Sequence, residues 1–296
     1  MKKVTIFGVG NIGNRLAFFL ARNRDVARIR LVDVDPKRSQ GTLLDFLRSN
    51  VALRSKIAFV DYEEPKEISQ SDVVIVAVGV EQRPEGGVSM PSKSDLDKMA
   101  RIAEQIGHFT PQSVIAVLSQ PAELFCQVIA KSGGFDASKV IGFPLLIYRE
   151  WYRDYLGRLI GVSNEDIRIS TVRTLRGEEL VPEQCAVGGV PLEHFVVDPE
   201  RLRVLPDPEV IHKRLRFHHY APAAVMSDVT GEFVAKRRQL ITAITKHSDE
   251  GAFLESKSVV GPNGVERQIP LALTPEQSER HNEYRHRVIE LTRELA

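Results

Sequence analysis

The sequence predicts an α/β fold, a doubly wound parallel sheet followed by a lobe of mixed α+β character. Three observations carry this. Short β-branched runs alternate with helical patterns over the first half; the alternation is lost after about Val140; and 296 residues suffice for one large domain or two fused lobes. The expected division is 1–142 and 143–296.

Val4-Thr5-Ile6-Phe7, Ile29-Arg30-Leu31-Val32 and Val73-Val74-Ile75-Val76-Ala77 are apolar, β-rich runs closed by Gly, Asp or a turn cluster, as buried strands are. Between the first two, Asn11 to Asn23 sets Leu16, Phe18, Phe19, Leu20 and Ala21 at helical spacing, giving a strand-helix-strand unit. Gly41 to Asn50, apolar at Leu43, Leu44, Phe46 and Leu47, and Ser94 to His108, stopped by Pro111, predict two more helices. Ser113 to Leu118 predicts a fourth strand, and Pro121 opens the helix after it. Strands apolar at successive positions need cover on both faces, hence a parallel sheet between helix layers. Further on, Trp151 to Ile160 predicts a helix, and Asp166 to Thr174, Gln239 to Thr245 and Val265 to Leu273 predict strands. Thr274-Pro275-Glu276-Gln277 starts a charged last helix. Glu81 to Ser94, rich in Gly, Pro, Ser and Lys, reads as a mobile loop of lid-like length.

Composition narrows the partners. At 43% hydrophobic and 27% charged the chain is an ordinary globular one, neither disordered nor collagen-like. A net charge of +1 supplies no field to draw a polyanion, so no nucleic-acid partner is expected. No apolar run nears the roughly 20 residues of a membrane span. Met1-Lys2-Lys3 leads into a strand instead of a signal segment, so no membrane partner and a cytoplasmic location are expected. Cys126 and Cys185, without metal-ligand spacing, read as packing residues, and no metal is expected.

The sharpest motif is Gly8-Val9-Gly10-Asn11-Ile12-Gly13, which follows a strand and opens a helix, with Asp33 ending the next strand 20 residues after Gly13. This is the dinucleotide-binding fingerprint of a Rossmann-type sheet. Gly8 makes the tight turn, Gly10 lets a pyrophosphate approach the backbone, and Gly13 lets helix and strand pack. The helix start offers free N–H groups to phosphate. Asp33 accepts from ribose hydroxyls and repels a 2′-phosphate, which favours NAD over NADP. Packing alone would also account for the glycines, but strand, glycines, helix and acid stand in register.

Later landmarks extend the pattern: Leu31-Val32-Asp33-Val34-Asp35, Gly41-Thr42-Leu43-Leu44-Asp45, Asp72 through Val80, Val140-Ile141-Gly142, Leu156-Gly157, Gly188-Gly189-Val190-Pro191-Leu192, Tyr220-Ala221-Pro222-Ala223-Ala224 and Asn263-Gly264-Val265-Glu266-Arg267. On these the sequence resembles the lactate/malate dehydrogenase family over nearly its whole length. The resemblance implies that family's fold, NAD as cofactor, a small-molecule ligand and a homodimer or homotetramer, the last through the apolar helix Gly41 to Asn50. It adds Val78, Gly79 and Ser119 to the cofactor set.

In that family a His–Asp pair takes the hydroxyl proton, one Arg clamps the substrate carboxylate, loop Args polarise the carbonyl and an Asn orients it. Here Tyr148 falls at the Asp, Trp151 at the clamping Arg and Arg176 at the His. Gln82 stands for the first loop Arg, with the second near Ser92 or Lys93, Gln120 for the Asn, and Met99 for another Asn on the following helix. An always-charged guanidinium cannot serve as a general base, so Arg176 holds an anion or acts as an electrophile. Tyr148 beside a cation is a candidate proton shuttle; equally, Tyr148 and Trp151 simply fill the pocket. Without the clamp, an anion would be caught by Arg149, Arg153 or Arg176, although Arg149 and Arg153 also read as solvated faces of a charged helix. His219, with His218, stands before the Tyr220 stretch and is either a replacement base or a surface or capping residue. Two functions stay open. One is a divergent NAD-dependent oxidoreductase acting on a hydroxy or keto compound other than lactate or malate, with Tyr148, Arg176 and Gln120 at the chemistry and Gln82, Trp151 and His219 lining the pocket. The other is an inactive NAD-binding protein with a sensing or partner role.

Overall fold

The computed structural model describes residues 2–60, 68–79, 88–143, 147–196, 198, 200–203 and 220–295. Gln82, His218 and His219 lie outside the described residues, as does the first half of the expected lid. The central sheet begins with β1 (Lys2–Phe7), β2 (Val26–Val32), β3 (Ala58–Val60), β4 (Val73–Val76), β5 (Val114–Val117) and β6 (Val140–Gly142). These six are parallel, in the spatial order β3-β2-β1-β4-β5-β6. The order reverses between β1 and β4, and a crevice opens beyond the strand ends at such a switch point.

Alternation along the strands builds the core. Val73 and Ile75 of β4, with Val114 and Ala116 of β5, join one buried cluster; Val74, Val76, Ile115 and Val117 join the cluster on the other face. The first face is covered by α1 (Asn11–Leu20) and the helix Tyr220–Val234, through Leu16, Leu20, Met226 and Phe233. The second is covered by α3 (Lys93–Phe109) and α4 (Ala122–Gly133), through Met99, Ile106, Phe125 and Ile129. Gly107 lets α3 and α4 touch: a Cβ there would come within 2.2 Å of the Gly133 carbonyl oxygen.

Several expected elements are redrawn by tertiary contacts. The helix expected at Gly41 is α2 (Pro36–Leu53), begun earlier because the Asp35 side chain accepts from the Lys37 N–H ahead of Pro36 at the first turn. The loop ends at Ser92, whose hydroxyl caps α3, so Lys93 and Ser94 are helical. The helix expected at Trp151 is α5 (Ile147–Ile160), which carries Tyr148 as well. The strand expected over Asp166 to Thr174 is two: β7 (Ile167–Arg168), beside β10 (Ala186–Val187), and β8 (Thr171–Thr174), which forms a hairpin with β9 (Gly177–Leu180). Beside β10 runs β11 (Val190–Pro191).

The large sheet runs on into the second half of the chain. β12 (Gln239–His247) pairs antiparallel with β6, Ile244 opposite Gly142, and β13 (Ala252–Gly261) and β14 (Gly264–Ile269) follow. β14 stops before Pro270, short of the expected Leu273. The last helix, Pro275–Glu294, starts at Thr274 with the expected capping box: the Thr274 hydroxyl accepts from the Gln277 N–H and the Gln277 side chain accepts from the Thr274 N–H. Cys126 and Cys185 are buried and unbridged, and burial pushes both thiols up, Cys185 to about 11, so they pack without reacting. No described helix is long and apolar enough to cross a membrane.

Candidate active site

The cleft at the switch point, of about 530 Å³, is lined by Gly8, Gly10, Asn11, Ile12, Asp33, Val78, Gly79, Ser119 and Gln120 among others. All the expected cofactor residues stand here except Gly13, which acts from behind. Gly8 has φ +93°, and a Cβ on it would lie 2.6 Å from the Ala77 carbonyl oxygen. At Gly13 a Cβ would lie 1.9 Å from the Gly8 carbonyl oxygen, so only hydrogen lets α1 close on the β1 turn. Gly10 has nothing within 4 Å of that position, so its outer side is open.

These residues fit a dinucleotide. α1 has no side-chain cap and no acid in its first turn, so its N-terminal N–H groups and positive dipole end face the cleft without competition. Asp33, with its side chain 5% exposed, accepts from the Val9 N–H at 2.7 Å and the Asp35 N–H at 3.0 Å, which fixes the carboxylate at the end of β2. Ser119 donates to the Val78 carbonyl at 2.8 Å and ties β5 to the loop after β4. Lining residues outside the expected set include Arg38, 3.6 Å from Asp33, and Lys98, Ile102 and Gln105 on α3. The last three share a helix face at spacings of four and three, a signal legible only once that face is known to look into the cleft.

Of the expected chemical residues, Gln120 is among the lining of this cleft, and Tyr148, Trp151 and Arg176 are not. The Gln120 amide donates to the Leu118 and Phe143 carbonyls, at 3.3 and 3.0 Å, so its nitrogen is spent on backbone. Trp151 is stacked on Tyr155, centroids 5.4 Å apart, and meets Tyr152 edge-on at 5.2 Å. Tyr148 and Trp151 both pack on the cluster around Tyr152, Leu156, Ile167 and Leu192. Arg176 is exposed at the tip of the β8–β9 hairpin, its N–H donating to Thr174 Oγ1. The Tyr148 hydroxyl lies 3.6 Å from where a Cβ of Gly177 would stand, so tyrosine and arginine meet the same hairpin tip. Arg153 is half-buried with Glu150 at 2.8 Å, and Arg149 Nε is buried. Arg149 as a whole is part-buried. Met99 is core.

Behind the hairpin lies a buried ionic network that sequence reading missed, since its members come from five elements. Arg173 of β8 pairs with Glu123 of α4 at 3.2 Å, and Tyr284 of the last helix donates to the same Glu123 oxygen at 2.7 Å. Thr171 donates to Glu178 across the hairpin, and Glu255 of β13 accepts from the Arg173 N–H at 2.8 Å. Burial raises the Glu178 and Glu255 carboxyls, the latter to about 8.

Residues 2–142 match the model of the lactate/malate dehydrogenase NAD-binding domain. A malate dehydrogenase of Caldivirga maquilingensis is 27% identical over 288 residues, covering 94% of this chain and 93% of the relative. One of Symbiobacterium thermophilum is 27% identical over 292 residues, covering 93% and 91%. Among solved structures, the lactate dehydrogenase of Cryptosporidium parvum, complexed with lactic acid and nicotinamide adenine dinucleotide, superposes with a TM-score of 0.89 at 22% identity, covering 99% of this chain and 98% of that one. The malate dehydrogenase of the same organism gives 0.88 at 21%, with the same coverage. With the glycine turn, the free helix start and the Asp33 carboxylate all in place, residues 2–142 are an NAD-binding domain of the lactate/malate dehydrogenase family.

Proposed function

We propose that the protein is an NAD-dependent oxidoreductase acting on a hydroxy or keto compound other than lactate or malate. One observation carries this: in a chain whose cofactor cleft has its glycine turn and Asp33 in place, the residue that the resemblance puts at the clamping Arg, Trp151, is an indole stacked on Tyr155. A bidentate guanidinium is what a small 2-hydroxy acid needs at that end. An indole suits a larger or less charged group. NAD supplies or accepts the hydride; the residues on this chain hold it and the proton. Tyr148 is the proton donor of this reading, and Arg176, exposed at the same hairpin tip, holds an anionic group. Gln120, with its amide nitrogen on backbone carbonyls, leaves its oxygen for a substrate hydroxyl.

The domain division at 142 and a cytoplasmic location belong to the same reading. So does a homodimer or homotetramer, supported by Leu44, Leu47 and Val51, exposed along one side of α2, with Phe18 exposed on α1. The test is titration with NADH and NADPH, then a hydroxy/keto panel followed at the nicotinamide absorbance. Turnover of a panel compound other than lactate or malate, abolished by Tyr148→Phe with NADH affinity unchanged, is the expected result. NADH binding without any turnover would move the chain to the inactive, sensing role. Turnover of malate would return it to the activity named for its relatives.

A further inference from the structure

A second cavity, of about 450 Å³, lies between β12–β14 and the last helix and shares no lining residue with the cofactor cleft. His247, Glu250, Glu255, Gln268, His281 and Arg285 line it. His281 Nε2, Glu255 Oε2, Glu250 Oε2 and His247 Nε2 are all buried with no hydrogen-bond partner among the described residues. His281 is 4% exposed and Glu255 1%. Buried polar atoms are paired in roughly nine cases of ten or more, so four orphans around one cavity point to an occupant.

The chemistry of the orphans selects it. His281 Nδ1 is 2.9 Å from the Arg173 carbonyl oxygen, so Nδ1 carries the hydrogen and donates. Burial holds the ring neutral, leaving Nε2 as a bare acceptor. Glu255 Oε1 is taken by the Arg173 N–H and Glu250 Oε1 by Arg285, so each carboxyl has its other oxygen left. An anion would meet His281 Nε2 and the free Glu250 oxygen lone pair to lone pair. A group with several N–H donors and a positive charge would satisfy them. No three His, Cys, Asp or Glu among the described residues are placed to hold a metal ion. We propose that this cavity is a binding site for a small primary ammonium compound, seated on His281 Nε2 and the free oxygens of Glu255 and Glu250.

Binding there moves a proton. Burial raises Glu255, with Glu178 of β9 and Glu123 of α4 adding to the effect and Arg173 of β8 opposing it. The neutral His281 and His247, and Arg285 already matched by Glu250, complete the surroundings. At pH 7 Glu255 is protonated, and an incoming ammonium group displaces that proton to solvent. The test is calorimetric titration of the full chain at pH 7 with methylammonium, ethanolamine and 1,4-diaminobutane, in two buffers of different ionisation enthalpy. Saturable binding of at least one, with close to one proton released, is expected. Glu255→Gln then weakens it about tenfold and removes the proton release, while NADH affinity stays unchanged. Asn282→Trp, at an exposed lining position, blocks the cavity without touching the core. No saturable binding of any of the three, binding indifferent to both variants, or Zn2+ binding where the amines give no heat would each overturn the assignment.

Discussion

The cofactor cleft and the packed region of α5 and the β8–β9 hairpin hold their geometry in different ways. Around the β1–α1 turn the constraint is steric and lies in the backbone: Cβ atoms at Gly8 and Gly13 would stand 2.6 and 1.9 Å from carbonyl oxygens. No side-chain adjustment relieves a clash with backbone, so these positions admit hydrogen alone. The packing of α5 and the β8–β9 hairpin is instead made of side chains whose backbone is ordinary. There Trp151, Tyr152 and Tyr155 pack against one another, and any set that fills the same volume keeps the fold. A cofactor site built from backbone resists change, whereas a region built from side chains can change its chemistry within one architecture.

Substitutions in each region sharpen that contrast. Gly13→Val has the largest expected effect: a Cβ driven into the Gly8 carbonyl costs about 3 kcal/mol or more. The melting temperature should drop steeply and NADH fluorescence enhancement should vanish. Trp151→Ala removes a half-buried indole from its stack, at about 2 kcal/mol. It should lower the denaturant midpoint while leaving NADH affinity in the surviving folded protein intact; a parallel loss of NADH binding would mean the two regions are not separable. Asp33→Ala is smaller, about 1–2 kcal/mol, read as roughly tenfold weaker NADH binding. With Arg38 at 3.6 Å left unopposed, NADPH should lose less than NADH or gain. Equal losses for both would show that Asp33 supports the turn through Val9 and Asp35 and does not select the cofactor.

Legibility followed the type of signal. β1, α1, β2, β4, β5 and the capped last helix could be read because their apolar periodicity and end signals are local. β13 could not: its centre is Glu255-Ser256-Lys257-Ser258, and it is a strand because β12 pairs with it along its whole length. α2 was placed too late because the Asp35 cap and Pro36, not the apolar positions, set its start.

The sequence alone determined the cofactor half, since glycine spacing and a strand-terminal acid act over some thirty residues of chain and need no distant partner. That Tyr148, Trp151 and Arg176 stand at the places of the family's chemical residues rests on the resemblance alone. Only the tertiary structure decided what surrounds them: that Trp151 is stacked, that Tyr148 meets the hairpin tip, and that Glu123, Arg173, Glu178, Glu255 and Tyr284 converge behind it. Such contacts join residues up to 161 positions apart. Charge, burial and pairing at that range are properties of the packed chain, because desolvation exists for a side chain only once distant elements have closed over it.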